Sequence, residues 1–197
     1  FGLSAAQAGP LMDRIKNRLT PARPPVETIK DVAYGSDEAQ RFDVYRAEDT
    51  EDAPVIFMVH GGAWRLGNKD ASRVVDHKVD RWVPKGFIVV SVNYRLLPDA
   101  DPLEQARDVA QALTTAQAQA ADWGGDPAKF ILMGHSAGAH LVALLGASPS
   151  LLAGAGARAP RGVVALDSAA MDVPEMMKKP LLPDLYNNAF GTDRAFW

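Results

Sequence analysis

Ser136 is the side chain in this sequence best placed to act as a nucleophile, because it lies at the centre of Gly134-His135-Ser136-Ala137-Gly138. The apolar run Phe130–Met133 before it predicts a buried strand, and Ala139–Ala147 after it predicts a buried helix. A Gly-x-Ser-x-Gly pentad between a strand and a helix is typical of a nucleophile elbow, a sharp turn that exposes the serine hydroxyl. The glycines permit backbone torsions that a side chain would resist, and they let the strand and the helix pass closely.

A second glycine motif could stabilise the transition state of acyl transfer. The apolar strand Val55–Val59 leads directly into a His-Gly-Gly-Ala-Trp string that begins at His60. In acyl transfer the carbonyl oxygen becomes negative, and each backbone N–H group aimed at it contributes about 10²–10³ in rate. The amides expected to form this oxyanion hole are those of Gly61, Gly62, Ala63 and Ala137.

Together the two motifs resemble those of the α/β-hydrolase superfamily, and within it the esterases related to hormone-sensitive lipase and kynurenine formamidase. Those enzymes carry His-Gly-Gly followed by Gly-x-Ser-Ala-Gly, and Asn93–Pro98 is similar to their Tyr-Arg-Leu-x-Pro turn. Ala63 stands where many such esterases have a third glycine and kynurenine formamidases an aromatic residue, so the subfamily stays open. The resemblance implies an α/β fold with a mostly parallel central sheet flanked by helices on both faces.

The periodicity of the remaining sequence predicts the alternating strands and helices that such a sheet requires. Beyond the strands before each motif, the predicted strands are Val26–Tyr34, Arg41–Tyr45, Gly86–Val92 and Gly162–Leu166. The first two are expected to pair antiparallel at an edge, with Phe42 and Val44 alternating against Arg41 and Asp43. One helix is predicted over 71–83, and another begins at Asp101 with a capping box. Its expected inner stripe is Leu103, Ala106, Val109, Ala110 and Leu113.

The pattern divides the chain into three regions. Residues 1–25 are interpreted as a helical or cap segment, because apolar residues recur at helical spacing before Pro21. Residues 26–167 are interpreted as the hydrolase core. Residues 168–197 interleave methionine with proline and are interpreted as a cap or irregular insertion, with core filling by the methionines as the alternative.

The partners that a catalytic serine needs are missing from the expected places. In hydrolases of this type an acid and then a histidine follow the serine, and the histidine accepts its proton. Of the four histidines, His60 is expected to brace the predicted oxyanion loop, which begins at Gly61, and His77 is expected to be solvated. His135 fills the variable position of the pentad, and His140 is expected to be structural. Asp167 and Asp172 are expected to cap helices. We therefore expect a chain truncated before the last strands, with a C-terminal fragment as a partner.

Composition and charge indicate the kind of protein and exclude several kinds of partner. The 197 residues are 47% hydrophobic and 23% charged, which indicates one globular domain. The net charge of −3 gives no reason to expect nucleic acid or an anionic membrane surface, and no apolar run approaches the ~20 residues of a membrane span. With no cysteine, there are no disulfides, thiolate metal sites or cysteine nucleophile. We expect a soluble protein without metal or cofactor, in the cytoplasm or, alternatively, exported.

These observations leave three hypotheses about function. The favoured one is a serine hydrolase that cleaves carboxylic esters through an acyl-enzyme on Ser136. The second is an arylformamidase that opens an N-formyl amide, so the expected substrate is a small-molecule ester or formamide. The third is a non-catalytic ligand-binding module on a hydrolase scaffold, or an inactive fragment, because no catalytic histidine is evident. A homo-oligomer formed through an uncovered sheet edge is a further expectation.

Overall fold

Six strands form one mixed sheet in the computed structural model, which describes residues 25–168, 170–179 and 183–193. The strands are β1 Val26–Ala33, β2 Arg41–Ala47, β3 Ala53–Val59, β4 Ile88–Val92, β5 Gly125–His135 and β6 Gly162–Leu166. Their order across the sheet is β1-β2-β4-β3-β5-β6. The predicted antiparallel pairing of β1 with β2 is confirmed; β2 also pairs antiparallel with β4, and β4, β3, β5 and β6 run parallel.

Helices connect the parallel strands, and two more follow β6. They are α1 Ser72–Trp82, α2 Pro102–Gln119, α3 Ala137–Ala147, α4 Pro149–Ala155, α5 Val173–Met176 and α6 Asp184–Phe190, with 3₁₀ turns at Val83–Lys85 and Ala120–Trp123. The predicted capping box of α2 is present: Asp101 accepts from the Glu104 N–H at 2.8 Å, and the Glu104 carboxylate accepts from the Asp101 N–H at 3.0 Å. The predicted inner stripe of α2 is wrong at Leu103, which is 42% exposed because it lies in the first turn, beside a cavity rather than against the sheet.

Both faces of the sheet are covered, as the resemblance implies. Alternate side chains of a strand point to opposite faces, and β3 is apolar on both. On one face Phe57 belongs to the large core that α2 and α3 complete. On the other face Ile56 and Met58 pack against Val74 and Trp82 of α1. The α/β architecture expected from the sequence is therefore confirmed.

Asp43 of β2 is buried, although the alternation of apolar and polar residues in this strand predicts that it faces solvent. Phe42 and Val44 are fully buried as expected, but Asp43 between them has no exposed surface either. The alternation of β2 fails as a guide there because Lys69, from the loop before α1, covers the carboxylate and neutralises it. A charged residue on the second face of a strand can be buried when a distant cation pairs with it.

The edge strand β6 is less well covered than the centre of the sheet. Within the described ranges β6 pairs only with β5, and its Val163 and Leu166 are 37% and 38% exposed. In the same part of the chain no single helix is long and apolar enough to cross a membrane; the bent pair α3 and α4 meets that test only by length and composition.

The structure describes little of the predicted N-terminal segment and only part of the predicted C-terminal region. Residues 1–24 lie outside the described residues, so the predicted N-terminal helical or cap segment stays a prediction. In the region after 167, α5 and α6 are short helices, Met176 is buried and Met171 is 50% exposed. The cap interpretation of this region also stays a prediction.

Candidate active site

Ser136 lies on a strained turn between β5 and α3. Its backbone has φ 53° and ψ −117°, a left-handed conformation that is uncommon for a residue with a side chain. The Ser136 N–H donates to the Leu166 carbonyl at 2.9 Å, which ties the turn to the end of β6. The structure thus has the strand, turn and helix that the pentad predicts. Strain of this kind is concentrated at functional sites.

The glycines of the pentad allow the two motifs to meet. A side chain at Gly134 would collide with the backbone of Gly138. A Cβ at Gly138 would lie 2.5 Å from the carbonyl oxygen of His60, which directly follows β3. The start of α3 therefore packs against the end of β3, where the second motif begins.

The second motif forms a loop directly beside the serine. A Cβ at Gly61 would lie 2.6 Å from the His135 carbonyl oxygen and 3.0 Å from the Ser136 Cβ, so only glycine fits. The loop then takes positive φ angles at three consecutive residues, Gly62 (131°), Ala63 (52°) and Trp64 (58°). No other stretch of the described residues has three in succession.

Hydrogen bonds fix the direction of two amides in this loop. A carbonyl only accepts, so the His60 Nδ1 atom carries a proton and donates to the Gly61 oxygen at 2.8 Å. The Gly62 oxygen accepts from the N–H groups of Arg65 and Leu66 at 3.1 and 2.9 Å. These peptide bonds are trans and planar, so each N–H points opposite to its preceding carbonyl. Fixing the Gly61 and Gly62 carbonyls therefore fixes the Gly62 and Ala63 N–H donors.

Three of the predicted oxyanion residues share a cavity with Ser136. The cavity has a volume of about 560 Å³. Its lining includes Gly61, Gly62, Ala63, Ser136, His135, Met58, Val74, Arg73 and Lys78. The fourth predicted residue, Ala137, is the first residue of α3, and the first amides of a helix have no acceptor within it. Its N–H is therefore free of intrahelical bonding.

His60 is buried behind the loop that begins at Gly61, as expected from the sequence. Only 1% of it is exposed, its ring stacks on Tyr94 with centroids 4.6 Å apart, and its carbonyl accepts from the Tyr94 hydroxyl at 2.8 Å. Burial lowers the pKa of His60 because it disfavours the charged imidazolium. The neutral ring acts as a brace for the loop.

His140 is also buried and structural. Its Nδ1 atom accepts from the Trp64 indole N–H at 3.4 Å, and its ring meets Phe190 edge to face. Burial lowers the pKa of His140 to about 4. The two remaining histidines, His77 on α1 and His135 beside the serine, are exposed. Within the described ranges no histidine hydrogen-bonds to the Ser136 hydroxyl.

The two aspartates that follow β6 differ from each other. Asp172 caps α5 as predicted, accepting from the Glu175 N–H at 2.9 Å. The same expectation is wrong for Asp167, because the described residues after it form no helix before Val173. Asp167 instead takes a positive φ of 53° at the turn that ends β6.

Trp64 is a residue of the site region that sequence reasoning missed. It is 3% exposed and its ring contacts Phe190 at 4.9 Å and Tyr186 at 6.1 Å between centroids. Helix α6 therefore packs against the loop that contains Trp64. The only signal for this contact in the sequence is the aromatic residue that directly follows the glycine motif.

The fold and the elbow define an α/β-hydrolase. The structure is similar to that of esterase B from Lactobacillus rhamnosis, with a TM-score of 0.67 and 25% identity over 96% of this chain and 65% of that one. A family model described as BD-FAE matches residues 42–155, more than half of the chain. The chain belongs to the BD-FAE family.

Curated relatives carry ester and formamide hydrolase names. A probable carboxylic ester hydrolase, LipM, of Mycobacterium tuberculosis is 36% identical over 126 residues, which are 61% of this chain and 28% of the relative. Kynurenine formamidase of Danio rerio is 33% identical over 132 residues, which are 66% of this chain and 43% of the relative. The chain thus spans less than half the length of these two relatives.

Proposed function

We propose that the protein is a serine hydrolase of carboxylic esters, with Ser136 as the nucleophile. The observation that carries this proposal is the contact between the elbow and the glycine loop: a Cβ at Gly61 would lie 3.0 Å from the Ser136 Cβ, and Gly62 and Ala63 line the same cavity as Ser136. The relatives named as esterases support the same reaction class.

In this reaction the Ser136 hydroxyl oxygen attacks the ester carbonyl carbon while its proton passes to a base. The negative charge that develops on the carbonyl oxygen is stabilised by the amides of Gly62, Ala63 and Ala137, with that of Gly61 as a further donor. The alcohol leaves with a proton, and an acyl group remains on Ser136. Water then attacks the acyl carbon and releases the carboxylic acid and the free serine.

The base is the part of the mechanism that the described residues do not provide. His60 and His140 are buried, burial lowers the pKa of both, and neither is hydrogen-bonded to the Ser136 hydroxyl, so neither is suited to take its proton. We propose that the accepting histidine and its acid come from polypeptide other than the residues described.

The proposal is tested by hydrolysis of p-nitrophenyl acetate by the protein and by two serine variants. Ser136→Ala removes the nucleophile, and Ser150→Ala changes an exposed serine on α4 as the matched control. With the histidine-bearing polypeptide present, we expect hydrolysis by the unsubstituted protein and by Ser150→Ala, and its loss in Ser136→Ala. Measurable and equal rates in all three proteins would show that the reaction does not use Ser136.

A formamide is the second candidate substrate, and the similarity to kynurenine formamidase favours it. The same serine and oxyanion hole could open an N-formyl amide. Comparing kcat/KM for N-formylkynurenine with that for p-nitrophenyl acetate separates the two activities. A higher value for the formamide would replace the ester as the proposed substrate class.

A ligand-binding module without catalysis is the third candidate, and the absence of a bonded base among the described residues favours it. Such a module would bind a small ester in the cavity beside Ser136 without hydrolysing it. Binding of an ester that stays intact on prolonged incubation is its distinguishing result.

A further inference from the structure

The segment that follows the oxyanion loop, residues 65–69, is anchored by a buried ion pair that the proposed mechanism does not use. Lys69 Nζ lies 2.7 Å from Asp43 Oδ1 and 2.9 Å from Asp31 Oδ1. The Asp43 side chain is fully buried in β2, and that of Lys69 is 7% exposed. Burial opposes the charge on Lys69, but the hydrogen bonds and charges of Asp43 and Asp31 outweigh it and raise the pKa of Lys69. Lys69 is therefore charged at neutral pH.

The backbone of Lys69 is held as firmly as its side chain. Its N–H donates to Asn93 Oδ1 at 2.6 Å, and its carbonyl accepts from the Ser91 hydroxyl at 2.7 Å. Both partners lie at the end of β4, next to β2 in the sheet. The far end of the 65–69 segment is thus fixed to two strands at once.

The near end of the segment meets the oxyanion loop. Leu66 and Arg65 donate to the Gly62 carbonyl, and a side chain at Gly62 would collide with the Leu66 carbonyl. The direction of the Gly62 carbonyl sets that of the Ala63 N–H across the planar trans peptide. The position of the 65–69 segment therefore decides where the Ala63 donor points.

We propose that Lys69 is a positioning residue for ester hydrolysis: its ion pair with Asp43 anchors the 65–69 segment, and this segment orients the Ala63 N–H in the oxyanion hole. The inference rests on the proposed function, because the direction of this donor matters only if Ser136 is acylated. The alternative is an ion pair that stabilises the fold and has no effect on the loop.

Three variants separate the two roles. Lys69→Met removes the cation at similar length but leaves Asp43 buried without its partner, which is strongly destabilising. The double variant Asp43→Asn with Lys69→Met removes both charges and keeps a carboxamide oxygen for the Asp31 N–H, which donates to Asp43 Oδ1 at 2.8 Å. Lys129→Met, the control, removes an exposed ion pair with Asp126 away from the site.

The kinetic readout is kcat and KM for p-nitrophenyl acetate in the folded double variant. We expect kcat to fall about tenfold with KM nearly unchanged. A correctly directed N–H donor contributes a factor of about 10²–10³ to the rate, and a misdirected donor loses part of that factor. Lys129→Met is expected to keep both constants. A double variant that folds and keeps the kcat of the unsubstituted protein would overturn the inference and leave the pair a stabilising role.

Amide hydrogen exchange gives a readout that needs no activity. We expect the peptide covering 61–69 to exchange at least several-fold faster in the double variant, while the peptide from α2 exchanges as before. If the unsubstituted protein hydrolyses no ester, the proposed function fails, and the exchange data decide by themselves whether the pair anchors the loop. Unchanged exchange in 61–69 would contradict the anchor.

Discussion

Gly61 lies against Ser136 so closely that a Cβ added to the glycine would fall 3.0 Å from the serine Cβ. The same Cβ would lie 2.6 Å from the backbone carbonyl oxygen of His135, which has no flexible end to move aside. The contact joins the strand-to-helix turn after β5 to the loop after β3. Glycine is required at this position because a side chain would not fit, not because the backbone torsion angles demand it.

Gly61→Ala is therefore expected to displace the oxyanion loop. We expect kcat for p-nitrophenyl acetate to fall by at least about tenfold, as donors move away from the developing charge. The matched control is Gly162→Ala, because a Cβ there meets nothing within 4 Å. Wild-type kcat in Gly61→Ala would mean that the loop does not act on the reaction.

The buried His140 should make stability depend on pH. Its pKa is lowered to about 4 by burial, whereas in the unfolded chain it is about 6.5. Between these values the unfolded state binds more protons, so the free energy of unfolding rises with pH and is fully regained above about 6.5. The titration of His140 changes the free energy of unfolding by at most about 1.4 kcal/mol per pH unit.

Urea unfolding of the protein and of His140→Gln at pH 5 and pH 7 checks this expectation. Glutamine does not titrate and keeps an oxygen that can accept from the Trp64 indole. The loss of stability from pH 7 to pH 5 should be smaller in the variant, by about 2 kcal/mol or less. Equal losses in both proteins would show that His140 does not titrate in this range.

A second ion pair, of which only the carboxylate is buried, supports the turn after β4. Asp108 on α2, 3% exposed at its side chain, accepts from the Arg95 guanidinium at 2.7 and 2.9 Å, and also from Gln40 at 3.0 Å. Asp108→Ala leaves these donors without their acceptor, but the Arg95 side chain is 32% exposed and can be solvated, so the expected cost is about 1–3 kcal/mol of unfolding free energy. The control Asp126→Ala breaks an exposed ion pair and should cost far less. The free energy of unfolding of both variants is measured by chemical denaturation. Equal losses in the two variants would contradict this account.

The edge strand β6 is expected to promote association between copies. Strand edges with apolar side chains are templates for pairing, and Val163 and Leu166 are both more than a third exposed. Val163→Lys places a charge at this edge and should shift the mass measured by sedimentation velocity toward the monomer at high concentration. A protein that is already monomeric at every concentration would refute the homo-oligomer expected from the sequence.

The fold could be predicted in large part because its signals are local. Apolar runs and glycine motifs place β3, β5 and α3, and the capping box places the start of α2. Phe57, Ile56 and Met58 are all apolar because both faces of a parallel strand are buried. Such signals need no knowledge of distant partners.

The contacts that support the site could not be predicted in the same way. Asp43 is buried only because Lys69, far along the chain, pairs with it. Trp64 is buried because His140 of α3 and Phe190 and Tyr186 of α6 contact its ring. Each case depends on residues distant in sequence, and strand alternation or helix periodicity carries no information about them.

The measurement that tests the central claim most directly is intact-mass spectrometry of the protein with a fluorophosphonate probe, followed by peptide mapping. We predict one adduct on Ser136, and none in Ser136→Ala under the same conditions. Such an adduct would show that the serine on the strained turn is activated. An adduct on another residue, or an unmodified Ser136 in protein that includes the proposed histidine, would contradict the assignment of Ser136 as the nucleophile.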